Sequence, residues 1–127
     1  MIVDSSALVA IVLREPGWEG LVNRLGTGPA GAGAPTLAEA GVVLAAKLGA
    51  RGRSLLARLL QEAEIAVVPF TDEHWPIAID AYARFGKGRH AASLNFGDCL
   101  TYAVASLAGQ PLLYVGDDFA RTDLPRL

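Results

Sequence analysis

The stretch MIVDSSALVAIVL, residues 1–13, sets the fold class of this chain. Residues 1–3 predict a short strand, and the apolar run of residues 7–13 predicts a buried helix soon after it. Asp4 lies at the junction between the two. In a parallel sheet, the carboxyl ends of the strands and the adjoining helix starts line one crevice, where ligands bind. Asp4 is therefore expected at that edge of a sheet.

The rest of the chain alternates helical and strand patterns in the same way. Trp18, Leu21, Val22 and Leu25 follow one another at the spacing of an apolar helix face. Further helices are predicted at residues 55–63, at residues 75–85, and after Asn95, which can act as an N-cap. Strands are predicted near residue 34, at residues 112–115, and at Ile65–Val68, where the β-branched content indicates a buried strand.

Thr36-Leu37-Ala38-Glu39 has the spacing of a capping box, so a helix is predicted to begin there and to end near Gly49. Strands that alternate with helices predict an α/β fold, layered around a mostly parallel central sheet. A chain of 127 residues with 52% hydrophobic residues has the size of one globular domain. We therefore expect a single domain that covers residues 1–127.

The composition argues against several classes of protein. No apolar run reaches the roughly 18 residues of a membrane span, and the N-terminus lacks the features of a signal peptide, so a cytoplasmic protein is expected. Cys99 is the one cysteine, and no zinc-ligand spacing is present. The net charge of -2 argues, taken alone, against binding of nucleic acid. If four of the 13 acidic residues share one metal site, however, only nine remain against 11 Lys and Arg.

Four acidic residues occupy related places in this scheme. Asp4, Glu39 and Asp117 each come soon after a predicted strand, whereas Asp98 opens a helix. Each has a structural explanation of its own, as a helix cap, a capping-box partner, a turn residue or a favourable charge on a helix dipole. Carboxylates gathered at one sheet edge would repel and raise one another's pKa. A divalent cation would remove that conflict.

The residue types then predict the chemistry. Hard oxygen ligands without His or Cys favour Mg²⁺ or Mn²⁺ over zinc or copper. Such ions lower the pKa of a bound water and polarise a phosphodiester. The sequence has no Gly-x-Ser-x-Gly elbow and no Walker loop. Hydrolysis by a metal-activated water is therefore the reaction that the pattern predicts.

Four segments together resemble the signatures of the PIN-domain ribonucleases: VDSSA at residues 3–7, PTLAE at 35–39, LNFGDC at 94–99 and GDDF at 116–119. The basic segment GKGRH at residues 86–90 is also typical. Over essentially its whole length, the chain resembles the VapC toxins of bacterial toxin–antitoxin pairs. The order and spacing of the segments make the resemblance specific.

The resemblance implies a PIN-like α/β/α sandwich and an Mg²⁺- or Mn²⁺-dependent endoribonuclease. In that interpretation Asp4, Glu39, Asp98 and Asp117 bind metal, and Ser6 and Asn95 assist through hydrogen bonds. Asp118 is the alternative ligand if Asp117 is not one, and Asp123 follows five residues later in the chain. The resemblance further implies a homodimer and a small antitoxin, which occludes the acidic pocket and binds operator DNA.

Contact with the substrate is a separate inference. Lys87 and Arg89, with His90 beside them, lie on a Gly-rich loop and could grip RNA phosphates, or they could simply be solvated. Two other functions stay open at this point. One is a catalytically silent PIN-like module that binds protein or RNA. The other is a magnesium-dependent phosphatase, which is disfavoured because Asp4-Ser5-Ser6 lacks the second acid of an Asp-x-Asp motif.

Overall fold

The computed structural model describes residues 1–125, and this range contains four strands and six α-helices. No helix within the range is both long and apolar enough to cross a membrane. The elements, in chain order, are β1 (Ile2–Val3), α1 (Ser5–Val12), α2 (Trp18–Leu25), β2 (Ala30–Gly33), α3 (Ala34–Leu48), α4 (Ala50–Glu62), β3 (Ile65–Val68), α5 (His74–Phe85), α6 (Phe96–Ala108) and β4 (Leu112–Leu113), with a 3-10 turn at Phe119–Arg121.

The strands form one parallel sheet in the order β3-β2-β1-β4. Side chains of a strand point alternately to the two faces of its sheet. Ile2 and its neighbour Leu112 pack among α5 and α6, whereas Val3 and its neighbour Leu113 pack among α1–α4. Both faces of the sheet are thus covered by helices, and the predicted α/β/α sandwich is confirmed.

Of the two strands on this side of β1, only β3 differs from the sequence-based prediction. β2 lies just before residue 34 and has the sequence AGAG, which has low strand propensity. Close packing selects these small residues, because a Cβ atom at Gly33 would lie 2.9 Å from Val104 Cγ2 and one at Gly31 would lie 3.0 Å from Val68 Cγ2. β3 is at the edge of the sheet with Val67 57% exposed, so the expectation of a buried strand there was wrong.

The parallel order brings the carboxyl ends of β1 and β4 side by side. β1 passes directly into α1 through Asp4, whose backbone N–H donates to the carbonyl of Leu113 (2.9 Å). β4 passes into a turn at Gly116, where φ is +100°, a conformation that favours glycine. Asp117 and Asp118 follow this turn, so both acidic segments lie at one edge of the sheet.

Candidate active site

Asp4 is the most deeply placed of the four predicted acids, with 3% of its surface exposed. Its Oδ2 atom accepts hydrogen bonds from the backbone N–H (3.1 Å) and the hydroxyl (2.6 Å) of Ser6, so Asp4 is also the N-cap of α1. The Ser6 hydroxyl accepts in turn from the backbone N–H of Val115 (3.0 Å). Ser6 therefore ties Asp4 to the end of β4. The other carboxylate oxygen, Oδ1, is buried and has no hydrogen-bond partner.

Glu39 lies in the second turn of α3 and does not serve as a capping residue. The helix begins at Ala34, so the prediction of a capping box at Thr36 and Glu39 was wrong. Both side chains instead form hydrogen bonds with residues that are distant in sequence. The Thr36 hydroxyl bonds to the Thr101 hydroxyl on α6 (2.8 Å), and Glu39 Oε1 accepts from the Ser5 hydroxyl (2.7 Å). Glu39 is thereby held beside the start of α1.

Asp98 is the third residue of α6, and a capping box fixes it there. Its backbone N–H donates to Asn95 Oδ1 (2.8 Å), and its own Oδ2 accepts from the backbone N–H of Asn95 (3.1 Å). The prediction that Asn95 caps this helix is confirmed. The same turn approaches α3 closely, because a Cβ atom at Gly97 would overlap the Glu39 carboxylate.

The electrostatics of Asp98 show which charges surround it. The pKa of Asp98 is raised to about 6, chiefly by burial and also by the charges of Asp4, Asp118 and Glu39, against the lowering effect of the hydrogen bond from the Asn95 backbone N–H. The charges of three other carboxylates thus reach Asp98 at the edge of the sheet. Of the two adjacent acids in the last motif, Asp118 is among the charges that raise this pKa and Asp117 is not.

Asp123 is engaged elsewhere. It accepts hydrogen bonds from the Tyr102 hydroxyl (2.5 Å) and from Arg84 (2.9 Å). Burial would raise the pKa of Asp123, but these two hydrogen bonds outweigh that effect and lower it. Its place in the structure is therefore a link between α5, α6 and the C-terminal segment.

The four carboxylates are close but are not arranged as a set of ligands. Within residues 1–125, no group of three or more His, Cys, Asp or Glu side chains is placed to hold one ion. Asp4, Glu39 and Asp98 each have one carboxylate oxygen that accepts a hydrogen bond from a group of the protein. The chemistry of the set still fits a hard divalent cation, since all donors are carboxylate oxygens and Asp4 Oδ1 is buried without a partner.

Asp98 predicts a pH dependence of stability in the metal-free protein. Its folded pKa of about 6 exceeds the ordinary 3.8, so the folded chain binds this proton more tightly than the unfolded chain does. The resulting stability is complete below about pH 4 and is lost as the pH rises through about 6. Because Asp98 is half-buried, solvent screening reduces the effect to about 1 kcal/mol.

This prediction is checked by urea unfolding in EDTA at several pH values, with Asp98→Asn as the control. The free energy of unfolding of the wild type, relative to that of the variant, should be higher at about pH 4 than at about pH 7. A difference that stays constant over this range would contradict the pKa of Asp98.

The basic loop lies just before the turn that carries Asp98. Lys87 and Arg89 are exposed, and the guanidinium of Arg89 lies 5.7 Å from the centre of the Tyr82 ring. His90 has a structural contact, because its Nδ1 accepts from the backbone N–H of Ala92 (2.9 Å) and its ring packs edge-on against Phe85. Lys87 and Arg89 are thus the cations of this loop that face solvent.

Sequence patterns missed two residues that shape the site. Ser5 was not singled out, although its position next to Asp4 was a usable signal. Gly97 was also missed, because a glycine inside a helix start indicates a close approach only once the neighbouring element is known. Its partner, Glu39, is far away in sequence.

Carboxylates at the carboxyl edge of a parallel sheet, between two layers of helices, match a known class of domain. A family model described as "PIN domain" matches residues 1–124. The chain therefore belongs to the PIN-domain family, and the predicted resemblance is confirmed.

Within this family, the curated relatives that the chain matches over nearly its whole length are named VapC ribonucleases. "Ribonuclease VapC36" of Mycobacterium tuberculosis is 48% identical over 126 residues, which cover 98% of this chain and 91% of the relative. "Ribonuclease VapC" of Mycolicibacterium smegmatis is 39% identical over 125 residues, which cover 98% and 97%. The crystal structure of M. tuberculosis VapC20, described as a sarcin-ricin loop cleaving toxin, aligns with a TM-score of 0.80 over 99% of this chain and 97% of that one. At 17% identity, that likeness concerns the fold alone.

Proposed function

We propose that the protein is the endoribonuclease toxin of a toxin–antitoxin pair and that it hydrolyses RNA phosphodiester bonds with Mg²⁺ or Mn²⁺. Membership of the PIN-domain family and relatives that are named ribonucleases support this proposal. The observation that carries its metal-dependent part is the buried, unpartnered Oδ1 atom of Asp4. The charge of Asp4, together with those of Asp118 and Glu39, also raises the pKa of Asp98. A buried carboxylate oxygen without a partner is costly, and a bound cation would offset that cost.

The roles of the residues follow from their contacts. Asp4, Glu39, Asp98 and Asp118 would hold the ion, with Asp117 as the alternative to Asp118. A bound divalent ion supplies Lewis-acid polarisation of the phosphodiester and lowers the pKa of water. Ser6 orients Asp4, Ser5 orients Glu39 and Asn95 orients Asp98. These hydrogen bonds leave a second oxygen of each acid for coordination.

Purified protein incubated with cellular RNA tests this function directly. Cleavage is expected with Mg²⁺ or Mn²⁺ and should stop when EDTA is added, while sequencing of the new 5′ ends would identify the bond that is cut. Cleavage that persists in EDTA would overturn the metal-dependent mechanism. RNA that stays intact under all conditions, although the protein binds it, would favour a silent binding module instead.

The last acidic motif gives a prediction about two adjacent residues. Asp118→Asn is expected to lower kcat by roughly tenfold or more, because removing a charge next to a catalytic metal weakens transition-state stabilisation. Asp117→Asn serves as the matched control and should change kcat by less than about threefold, as an exposed surface substitution does. Cleavage kinetics of the two variants decide between them. A larger loss for Asp117→Asn would restore Asp117 as the ligand.

Lys87 and Arg89 are proposed to contact RNA phosphates. Both are exposed on the loop before α6, and such contacts position a strand without reading its sequence. Because each phosphate contact releases counterions, the affinity for RNA should fall with salt. Replacing both residues with Gln should flatten that dependence, and an unchanged salt slope would remove them from the interface.

The partners implied by the family are proposed as well: an antitoxin, a second copy of the chain, and operator DNA bound through the antitoxin. A groove of about 1100 Å³ between α1, α2 and α4 is lined by apolar side chains that include Trp18, Val22 and Leu59, so it could receive a helix of the antitoxin.

We propose that the toxin acts in the cytoplasm, where its RNA substrate is. Light scattering on the chain alone and co-expressed with the antitoxin tests both assemblies. A monomer that does not co-purify with the antitoxin would contradict them.

A further inference from the structure

Phe96 is an aromatic residue whose side chain does not pack in the core. Its side chain is 76% exposed, which makes it the most exposed large apolar side chain within residues 1–125. It belongs to neither apolar core of the described chain. It does not cap α6 either, since Asn95 does so. An apolar ring left in water at this place therefore requires an explanation other than stability.

The position of Phe96 relates it to the carboxylates. It is the first residue of α6, between Asn95, which caps the helix, and Gly97, whose Cα lies against the Glu39 carboxylate. Asp98 is two residues further on. The two hydrogen bonds of the capping box span Phe96, so the backbone that carries the ring is fixed before any substrate arrives. The ring is thus carried by a rigid backbone segment that lies two residues from Asp98 in the chain.

The basic loop is anchored to the same segment. The backbone N–H of Lys87 donates to the carbonyl of Leu94 (2.9 Å), and the N–H of Leu94 donates to the carbonyl of Phe85 (2.9 Å). These bonds fix the base of the loop two residues before Phe96. An exposed ring therefore lies in the chain between exposed cations and a cluster of acids that would bind metal.

We propose that Phe96 is a stacking platform for one unpaired base of the RNA next to the bond that is cut. This inference rests on the proposed ribonuclease function. Every base has a face that can stack on an aromatic ring, and RNA-binding proteins use exposed rings in this way. The arrangement suits single-stranded RNA, with phosphates near the basic loop, a base on Phe96 and the phosphodiester at the carboxylates.

The test compares substitutions of Phe96 in the cleavage of a single-stranded RNA oligonucleotide that contains the mapped site. Phe96→Ala should lower kcat/KM by roughly 5- to 150-fold, the range that loss of one stacked base produces. Phe96→Trp should keep the activity, whereas Phe96→Leu, which is apolar but not aromatic, should not. Val42→Ala is the matched control, because Val42 is an equally exposed apolar residue (71%) on α3.

A second readout separates stacking from a structural role. The same oligonucleotide is prepared with an abasic nucleotide at each position beside the cleaved bond. At one position, the wild type should lose about as much activity as Phe96→Ala does, and Phe96→Ala should lose no more. An effect of Phe96→Ala that persists on every abasic substrate would overturn the proposal, as would kcat/KM within twofold of the wild type. If the wild type itself does not cut RNA, the proposed function fails, and this inference with it.

Discussion

Asp4→Asn is expected to lower kcat/KM for RNA cleavage by roughly 10³-fold, because the several kcal/mol of charge stabilisation that a metal ion supplies would be lost with its central ligand. The fold should survive. Asn has the same shape, can still accept the hydrogen bonds from Ser6, and removes a buried charge that lacks a partner on one oxygen.

Cleavage rates and thermal unfolding of this variant are measured together with those of Asp80→Asn. Asp80 is an exposed acid on α5, so the control removes the same charge away from the site and should leave kcat/KM unchanged. If Asp4→Asn retains more than about a tenth of the activity, the carboxylate is not at the centre of the chemistry.

Gly97→Ala is expected to lower kcat by roughly 10²-fold, since a displacement of about 1 Å in a catalytic group can cost that much. The added methyl group would overlap the Glu39 carboxylate and displace it from the position beside Ser5. The backbone at Gly97 does not have a positive φ, so alanine is otherwise compatible with the helix.

Gly20→Ala is the matched control for this substitution. Gly20 also lies near the start of a helix, α2, but a Cβ atom there meets nothing within 4 Å. The control should keep full activity and should raise the free energy of unfolding by about 0.5–1 kcal/mol, as glycine-to-alanine changes in helices do. Equal activity of both variants would show that Glu39 does not need its present position.

The sequence predicted those parts of the fold that depend on local patterns. Alternating strand and helix patterns gave the α/β class, and Asn95 was identified as an N-cap because its hydrogen bonds reach only three residues along the chain. Gly49 was identified as the end of α3 for the same kind of reason. Such features are set by neighbours in sequence, so they can be predicted without tertiary contacts.

The prediction was wrong where distant partners compete with local ones. Thr36 and Glu39 have the spacing of a capping box, yet Thr101 and Ser5 bind them, because the helix already begins at Ala34. The low strand propensity of β2 has the same kind of cause, since its small residues follow from contacts with Val68 and Val104. Only tertiary structure could supply these facts.

The choice between Asp117 and Asp118 also depends on tertiary structure. Both follow the last strand, and the sequence does not show how the turn after Gly116 directs each side chain. The structure adds one observation, which is that the charge of Asp118 raises the pKa of Asp98, and the choice between the two residues stays a prediction. The wider set of acids could be proposed from the sequence, since the carboxyl ends of parallel strands share one edge of the sheet.

The position of Mn²⁺ in crystals grown with this ion, located by anomalous diffraction, tests the central claim most directly. We expect a peak within coordination distance of Asp4 Oδ1 and of at least one oxygen of Asp98, under conditions in which the protein cuts RNA. A peak bound by other residues, or no peak at Asp4 at an Mn²⁺ concentration that supports full activity, would contradict the claim that these carboxylates hold the catalytic ion.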